Sequence, residues 1–383
     1  MRTFVLAAAV SLFAGAALAQ TDAPPPAWSG VWQGTLGATQ IRACFGQAGD
    51  ANAGAYYYMG HLTLIRLDPD TSPKNSWSEG ENTDKAAPHW TLTATKPSAL
   101  SGTWSGKGKK LPIALTRVPL GKDDDADMAC GSGVFTQPRI KAPTVTRKPG
   151  VLHGVHYTTL TLNVGAHLDV HIASFALDAT NPEATRINAE LAKTLSQKGD
   201  SGAAQYVECI TGATGSLGGD GEYTETVKPA LIGKRWMVSE DDNEEFCGGA
   251  HPDSGSDWKL WDLESGAAVD PWSWFTADGV THSADVPNTS EAGPKLKKML
   301  AARWTHKGEC KDVLEGNDDF WGVHPTRAGL AFWPELAHVV AACSRDVVIP
   351  YNELAPLLNA KGKAAIASIV EDVKALPPPE KHK

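Results

Sequence analysis

Six cysteines in a chain that opens with an export leader constrain this 383-residue sequence more than any other feature. Arg2 supplies a short basic start, residues 4–17 are apolar, and Ala17-Leu18-Ala19 forms an A-x-A cleavage site before Gln20. At about 14 residues the apolar run is too short to cross a bilayer, and no cysteine follows the cleavage site to carry a lipid. Residues 1–19 are therefore expected to be removed, leaving a periplasmic or secreted protein with no membrane span. In that compartment Cys44, Cys130, Cys209, Cys247, Cys310 and Cys343 are expected to form three disulfides, for which fifteen connectivities exist. No two of them have the two-to-four-residue spacing of a zinc knuckle, so no thiolate metal site is expected.

The formal net charge is −9. Binding phosphates needs a basic face, so nucleic acid is excluded as a partner. An acidic surface suits a cationic partner, and it also serves ordinary solubility.

The length calls for roughly two or three domains. Residues 28–136 read as an all-β module, a small barrel or sandwich, with strands at 31–34, 41–45, 56–67, 90–95, 100–104 and 111–116. Trp28, Trp32, Trp90 and Trp104 are its expected core or edge-covering aromatics. Asp123-Asp124-Asp125-Ala126-Asp127 lacks the alternating spacing, glycine and distal glutamate of a calcium loop, and reads as a solvated loop. Residues 137–150 mix proline with scattered basic residues and read as a linker.

Residues 151–376 read as an α+β domain with helices on an antiparallel sheet. Strands are expected at 157–164 and 167–175 around a Gly165-Ala166 turn, and further strands at 204–210, 223–232 and 235–238. Between them lies a helix, with a Thr180/Glu183 capping box and Ile187, Leu191 and Leu195 on one face. A second helix is expected at 294–304, strands at 320–323 and 330–333, and an amphipathic helix at 364–376. If pairing stays within these domains, Cys44 joins Cys130, and Cys209 with Cys247 and Cys310 with Cys343 are the most local choice for the rest.

Within this domain the adjacent glycines of Phe246-Cys247-Gly248-Gly249-Ala250-His251-Pro252 predict a sharp bend or bulge. The run after it alternates like a strand, and Glu264-Ser265-Gly266 reads as a hairpin turn into Ala267-Ala268-Val269. This order of pieces resembles the RsiV/PdaC-type extracytoplasmic domain family, shared by a lysozyme-sensing anti-sigma factor and a peptidoglycan deacetylase. There, GGAHP-like segments precede a D-L-x-x-G hairpin. The strands Gly54-Ala55-Tyr56-Tyr57-Tyr58 and Leu100-Ser101-Gly102-Thr103-Trp104 are similar to those of a module carried by exported relatives. The close Val347-Val348-Ile349-Pro350-Tyr351-Asn352-Glu353-Leu354 also fits, but Pro334-Glu335-Leu336 stands where the family has a Pro-Tyr pair. The resemblance spans residues 150–360 and implies a binding module that engages lysozyme or a cell-wall-related ligand.

His251 is the natural catalytic suspect, yet no nucleophile, second base or metal shell stands at a telling spacing from it, and bracing of the turn is the simpler role. His167, Asp169 and His171, at alternate positions of the expected strand, share a face and could ligate zinc with His153 or His156, although a polar, water-facing edge explains them as well. The acidic run Glu240, Asp241, Asp242, Glu244 and Glu245 reads by itself as a solvated stretch, and its place beside the motif of the resembled family implies an acidic loop that steers a cationic partner toward Gly248, Gly249 and His251. No nucleophile elbow, zincin helix, P-loop or dinucleotide fingerprint is present, so no cofactor is expected. A cell-wall hydrolase using His251 with nearby carboxylates and a purely structural envelope protein are the alternatives.

Overall fold

The computed structural model describes residues 26–48, 51–71, 75–80, 86–122, 124–125, 127–199, 202–283, 289–316 and 319–378, so the expected leader, residues 1–19, and Gln20 lie outside it. The chain is mixed α+β with an N-terminal barrel. Strands β1 (Gly30–Leu36), β2 (Thr39–Ala48), β3 (Ala51–Tyr58), β4 (Ile65–Pro69), β5 (Ser76–Glu79), β6 (His89–Lys96), β7 (Ala99–Gly106) and β8 (Lys109–Val118) run antiparallel in sequence order, and β8 closes on β1. The expected strand at 56–67 breaks in two because Leu62 takes φ +64°, which turns the chain between β3 and β4.

Inward-facing aromatics fill the barrel: Trp32, Phe45, Tyr56, Trp77 and Trp90 are all at most 1% exposed. Among them the Glu79 carboxylate accepts from Tyr56 Oη at 2.6 Å, Trp104 Nε1 at 2.7 Å and Trp90 Nε1 at 3.2 Å. Three donors on one carboxylate satisfy polar groups that burial would otherwise penalise.

The expected all-β module, 28–136, ends in short helical segments, and the expected linker, 137–150, is ordered structure that continues from them. A short 3-10 turn (Ala129–Gly131), helix α1 (Gly133–Thr136) and a second 3-10 turn (Gln137–Arg139) pack on the outside of the barrel, fastened by the Cys44–Cys130 disulfide. The Tyr57 hydroxyl donates to Phe135 O at 2.9 Å, and Arg139, 1% exposed, donates to Leu62 O and to both carboxylate oxygens of Asp220. Thr144–Leu152 then forms β9, because its residues pair with the next strand whatever their polarity.

Seven strands make the second sheet, in the order β15-β14-β13-β12-β11-β10-β9. They are β10 (Val155–Asn163), β11 (Val170–Leu177), β12 (Glu222–Ile232), β13 (Trp236–Phe246), β14 (Asp253–Asp262) and β15 (Ala267–Val269), after β9. One neighbouring pair, β11 with β12, is parallel, so the sheet is mixed rather than purely antiparallel. A parallel pair needs a crossover, and helices α2 (Pro182–Leu191) and α3 (Gly202–Leu217) supply it.

Both helices correct sequence expectations. Asn181, not Thr180, caps α2, its side chain accepting from Ala184 N at 2.8 Å, while Ile187 and Leu191 are buried as expected. Residues 204–210, expected as a strand, lie in α3, where Ala203, Tyr206, Ile210 and Ala213 recur at helical spacing and are buried.

The opposite face of the sheet carries a third unit. It holds β16 (Val280–His282), β17 (Ser290–Ala292), α4 (Pro294–Ala301), β18 (Trp321–Pro325), β19 (Leu330–Pro334), β20 (Val347–Ile349), α5 (Tyr351–Leu354) and α6 (Ala360–Ala375). Trp236, Val238 and Leu260 of the sheet pack there with Trp274, Phe332, Ile349 and Ile369. The Asp372 carboxylate of α6 locks the unit on, accepting from Arg235 N and Trp236 N at 2.8 Å each. Disulfides join Cys209 to Cys247 and Cys310 to Cys343, so all three pairings follow the most local choice. No helix among the described residues is long and apolar enough to cross a membrane.

Candidate functional site

Two-residue alternation along β13 decides where its acidic side chains go. Trp236 and Val238 face the β18–β20 unit, and Met237 packs with Ile187, Phe175 and Trp261 on the helix side. Beyond Ser239 the same alternation continues, so Glu240, Asp242 and Glu244 point toward the β18–β20 unit and Asp241 and Glu245 toward the helices. The acidic run is therefore not a loop but the outer half of a central strand, paired to β12 and β14 at every residue. Backbone ladder bonds do not depend on side-chain polarity, and past the apolar core the strand's flanks are free to carry charge.

On the first of these faces the sheet and the β19 end enclose an open groove of about 400 Å³, walled by Asp242, Glu244, Ser254 and Ser256 on one side and Trp333, Glu335 and Leu336 on the other. Lys228 Nζ lies 2.6 Å from Asp242 and 3.5 Å from Glu240, and Ser256 Oγ donates to Asp242 at 2.8 Å. That part of the acidic run is thus partly neutralised within the molecule. Among the described residues no cation pairs with Glu244 or Glu335. Burial, and then the nearby charge of Asp257, raises the Glu335 carboxyl above its ordinary value. Trp258, which stacks on His324 at 4.4 Å and meets Trp333 at 5.2 Å, holds the two walls together.

On the helix side Asp241 faces Asp257 across the ladder. Its carboxyl is pushed up to about 6, first by burial and then by Glu225, Asp257 and Asp242, with Lys259 opposing. Burial also raises Glu225, against hydrogen bonds from Tyr223 and the Gly202 amide. The pocket here, about 80 Å³, is too small for a sugar ring.

The glycine bend forms as expected, with the two glycines in different roles. Gly248 has φ +91°, and a Cβ there would lie 2.1 Å from Ser216 Oγ at the end of α3. A Cβ on Gly249 would meet open space. His251 is exposed, its Nδ1 is 3.0 Å from Pro252 O, and its ring stacks on His338 at 4.2 Å. It braces the hairpin against the 3-10 segment His338–Cys343, whose His338 also lies 3.8 Å from Asp253.

His167, Asp169 and His171 do not share a strand face, because β11 begins only at Val170. His167 is 3% exposed and sits 3.6 Å from Asp220, while His171 is exposed. Among the described residues the cluster with metal-ligand potential is Cys209, Glu245 and Cys247, whose two sulfurs are spent in a disulfide and cannot bind as thiolates.

Sequence reasoning missed Lys228, Ser256, Trp333 and Glu335.

Neither a family model nor a curated protein matches the chain. Among solved structures, a member of the DUF3298 family from Bacteroides fragilis is similar over 60% of this chain and 97% of its own, at 14% identity and a TM-score of 0.39. A DUF3298 family protein from Pseudomonas aeruginosa PAO1 is similar over 58% of this chain and 97% of its own, at 12% identity and a TM-score of 0.34.

Proposed function

We propose that this chain is an exported binding protein of the bacterial envelope, built on an RsiV-type domain over residues 151–376, whose groove takes a basic partner such as lysozyme. The observation that carries this reading is the pair of groove walls: Glu244 and Glu335 offer carboxylates without an internal cation, beside the apolar surface of Trp333 and Leu336. Exposed carboxylates steer a cationic protein over long range, and an aromatic wall gives it something to bury against. The hydrolase alternative gains nothing from His251, which stacks on His338 and braces its own turn.

Titration calorimetry of the mature protein against lysozyme, and separately against soluble peptidoglycan fragments, tests the proposal. Binding of lysozyme that weakens in Glu244→Gln/Glu335→Gln is the expected result. Binding of glycan alone, or hydrolysis of it, would replace this reading.

A further inference from the structure

We infer that the partner engages this site with an extended basic segment that adds as a strand to the outer edge of β14. The inference rests on the basic-partner reading and names how that partner is held. From Asp253 to Lys259, β14 is paired on its inner side with β13, and β15 reaches its outer side at Leu260–Asp262 alone. The Ser254 and Trp258 amides lie outside the ladder and donate instead to the carboxylates of the residues before them, Asp253 Oδ1 at 2.9 Å and Asp257 Oδ1 at 2.7 Å. Strand alternation puts the Ser256 amide on the same outer side.

An open edge of this kind is a template for pairing, and proteins guard it with charge. Here the guard is replaceable. Carbonyls of an incoming strand can take over the Ser254 and Trp258 donors one for one, so no backbone group is left unsatisfied. The exchange leaves the Asp253 and Asp257 carboxylates to solvent and, for Asp253, to His338 at 3.8 Å. The groove lies beside this edge, over Ser254-Gly255-Ser256, so every second side chain of an added strand reaches toward Glu244 and Glu335. Backbone bonds then supply affinity and alternate basic side chains supply selectivity. A glycan has no carbonyl ladder to offer these amides.

The test uses the mature protein and an end-labelled peptide alternating lysine and threonine, followed by fluorescence anisotropy at low salt. Two further peptides keep every charge but carry N-methyl groups on alternate amides, one on each edge. One of the two should bind about tenfold or more weakly than the parent, and the other about as well. Ser256→Pro removes an outward amide without touching the β13 ladder and should weaken the parent peptide by a similar factor at an unchanged thermal midpoint, and by clearly more than Ser256→Ala, which loses the same hydroxyl but keeps the amide. Should Ser256→Pro fail to fold, the methylated peptides carry the test. Equal binding of both methylated peptides and the parent overturns strand addition. Lysozyme binding without peptide binding also overturns it, yet leaves the basic-partner reading standing. Absence of binding by both peptide and lysozyme removes both.

Discussion

Asp241 and Asp257 stand directly opposite one another across the β13–β14 ladder, two carboxylates of like charge on the helix side of the sheet. Like charges in such a pair destabilise a sheet. With the folded-state value of Asp241 raised to about 6 from 3.8, its contribution to stability is full below the lower value and is lost as pH rises through the upper one. Asp241→Asn should therefore raise the thermal midpoint at pH 7 by about 2 to 4 °C, corresponding to roughly 1 kcal/mol after allowance for partial exposure. At pH 4 the two proteins should melt together. Parallel midpoint curves from pH 4 to 7 would show that Asp241 carries no such penalty.

The buried Arg139–Asp220 pair ties the segment behind the barrel to the seven-stranded sheet. Burial pushes Asp220 up, but neighbouring His167 and the Arg139 guanidinium outweigh it and hold the carboxyl below the ordinary range. Its stabilising contribution is thus present above about pH 4 and is lost as pH falls through the depressed folded value. Asp220→Ala strands a buried guanidinium and should cost about 3 to 5 kcal/mol in chemical denaturation at pH 7. A cost below about 1 kcal/mol would mean that the pair is not the joint described.

Gly248 and Gly249 should respond differently to the same change. Gly248→Ala places a Cβ at positive φ and against Ser216, and should cost at least about 1 kcal/mol. Gly249→Ala meets open space and should stay within about 0.5 kcal/mol of the parent. Equal losses in the two variants, read from thermal unfolding, would contradict the bend geometry.

Much of this architecture was legible where side-chain periodicity and local pairing decide the outcome. Ile187 and Leu191 announced the buried face of α2, and the most local cysteine pairing is the one formed. Elsewhere local signals misled. Tyr206, Val207 and Ile210 look strand-like over a short window, and only the longer spacing from Ala203 to Ala213 reveals α3. The run Glu240 to Glu245 looks like a loop because its charges exceed what a buried strand carries, yet flanking strands supply its hydrogen bonds. Glu335 comes to the groove from a segment some 90 residues away, a tertiary juxtaposition that spacing does not encode.

The most direct measurement of the central claim is the association rate of lysozyme with the protein lacking residues 1–19 by stopped flow, across ionic strengths from about 10 mM to 500 mM, for the parent and for Glu244→Gln/Glu335→Gln. Exposed charges are screened over about 8 to 10 Å near physiological salt, and steering acts chiefly on the on-rate. The parent's rate should fall steeply as salt rises, and the double variant should start slower and depend less on salt at an unchanged fold. Absence of binding at the lowest salt, or an on-rate indifferent to both salt and the two amides, would contradict a groove built for a basic partner.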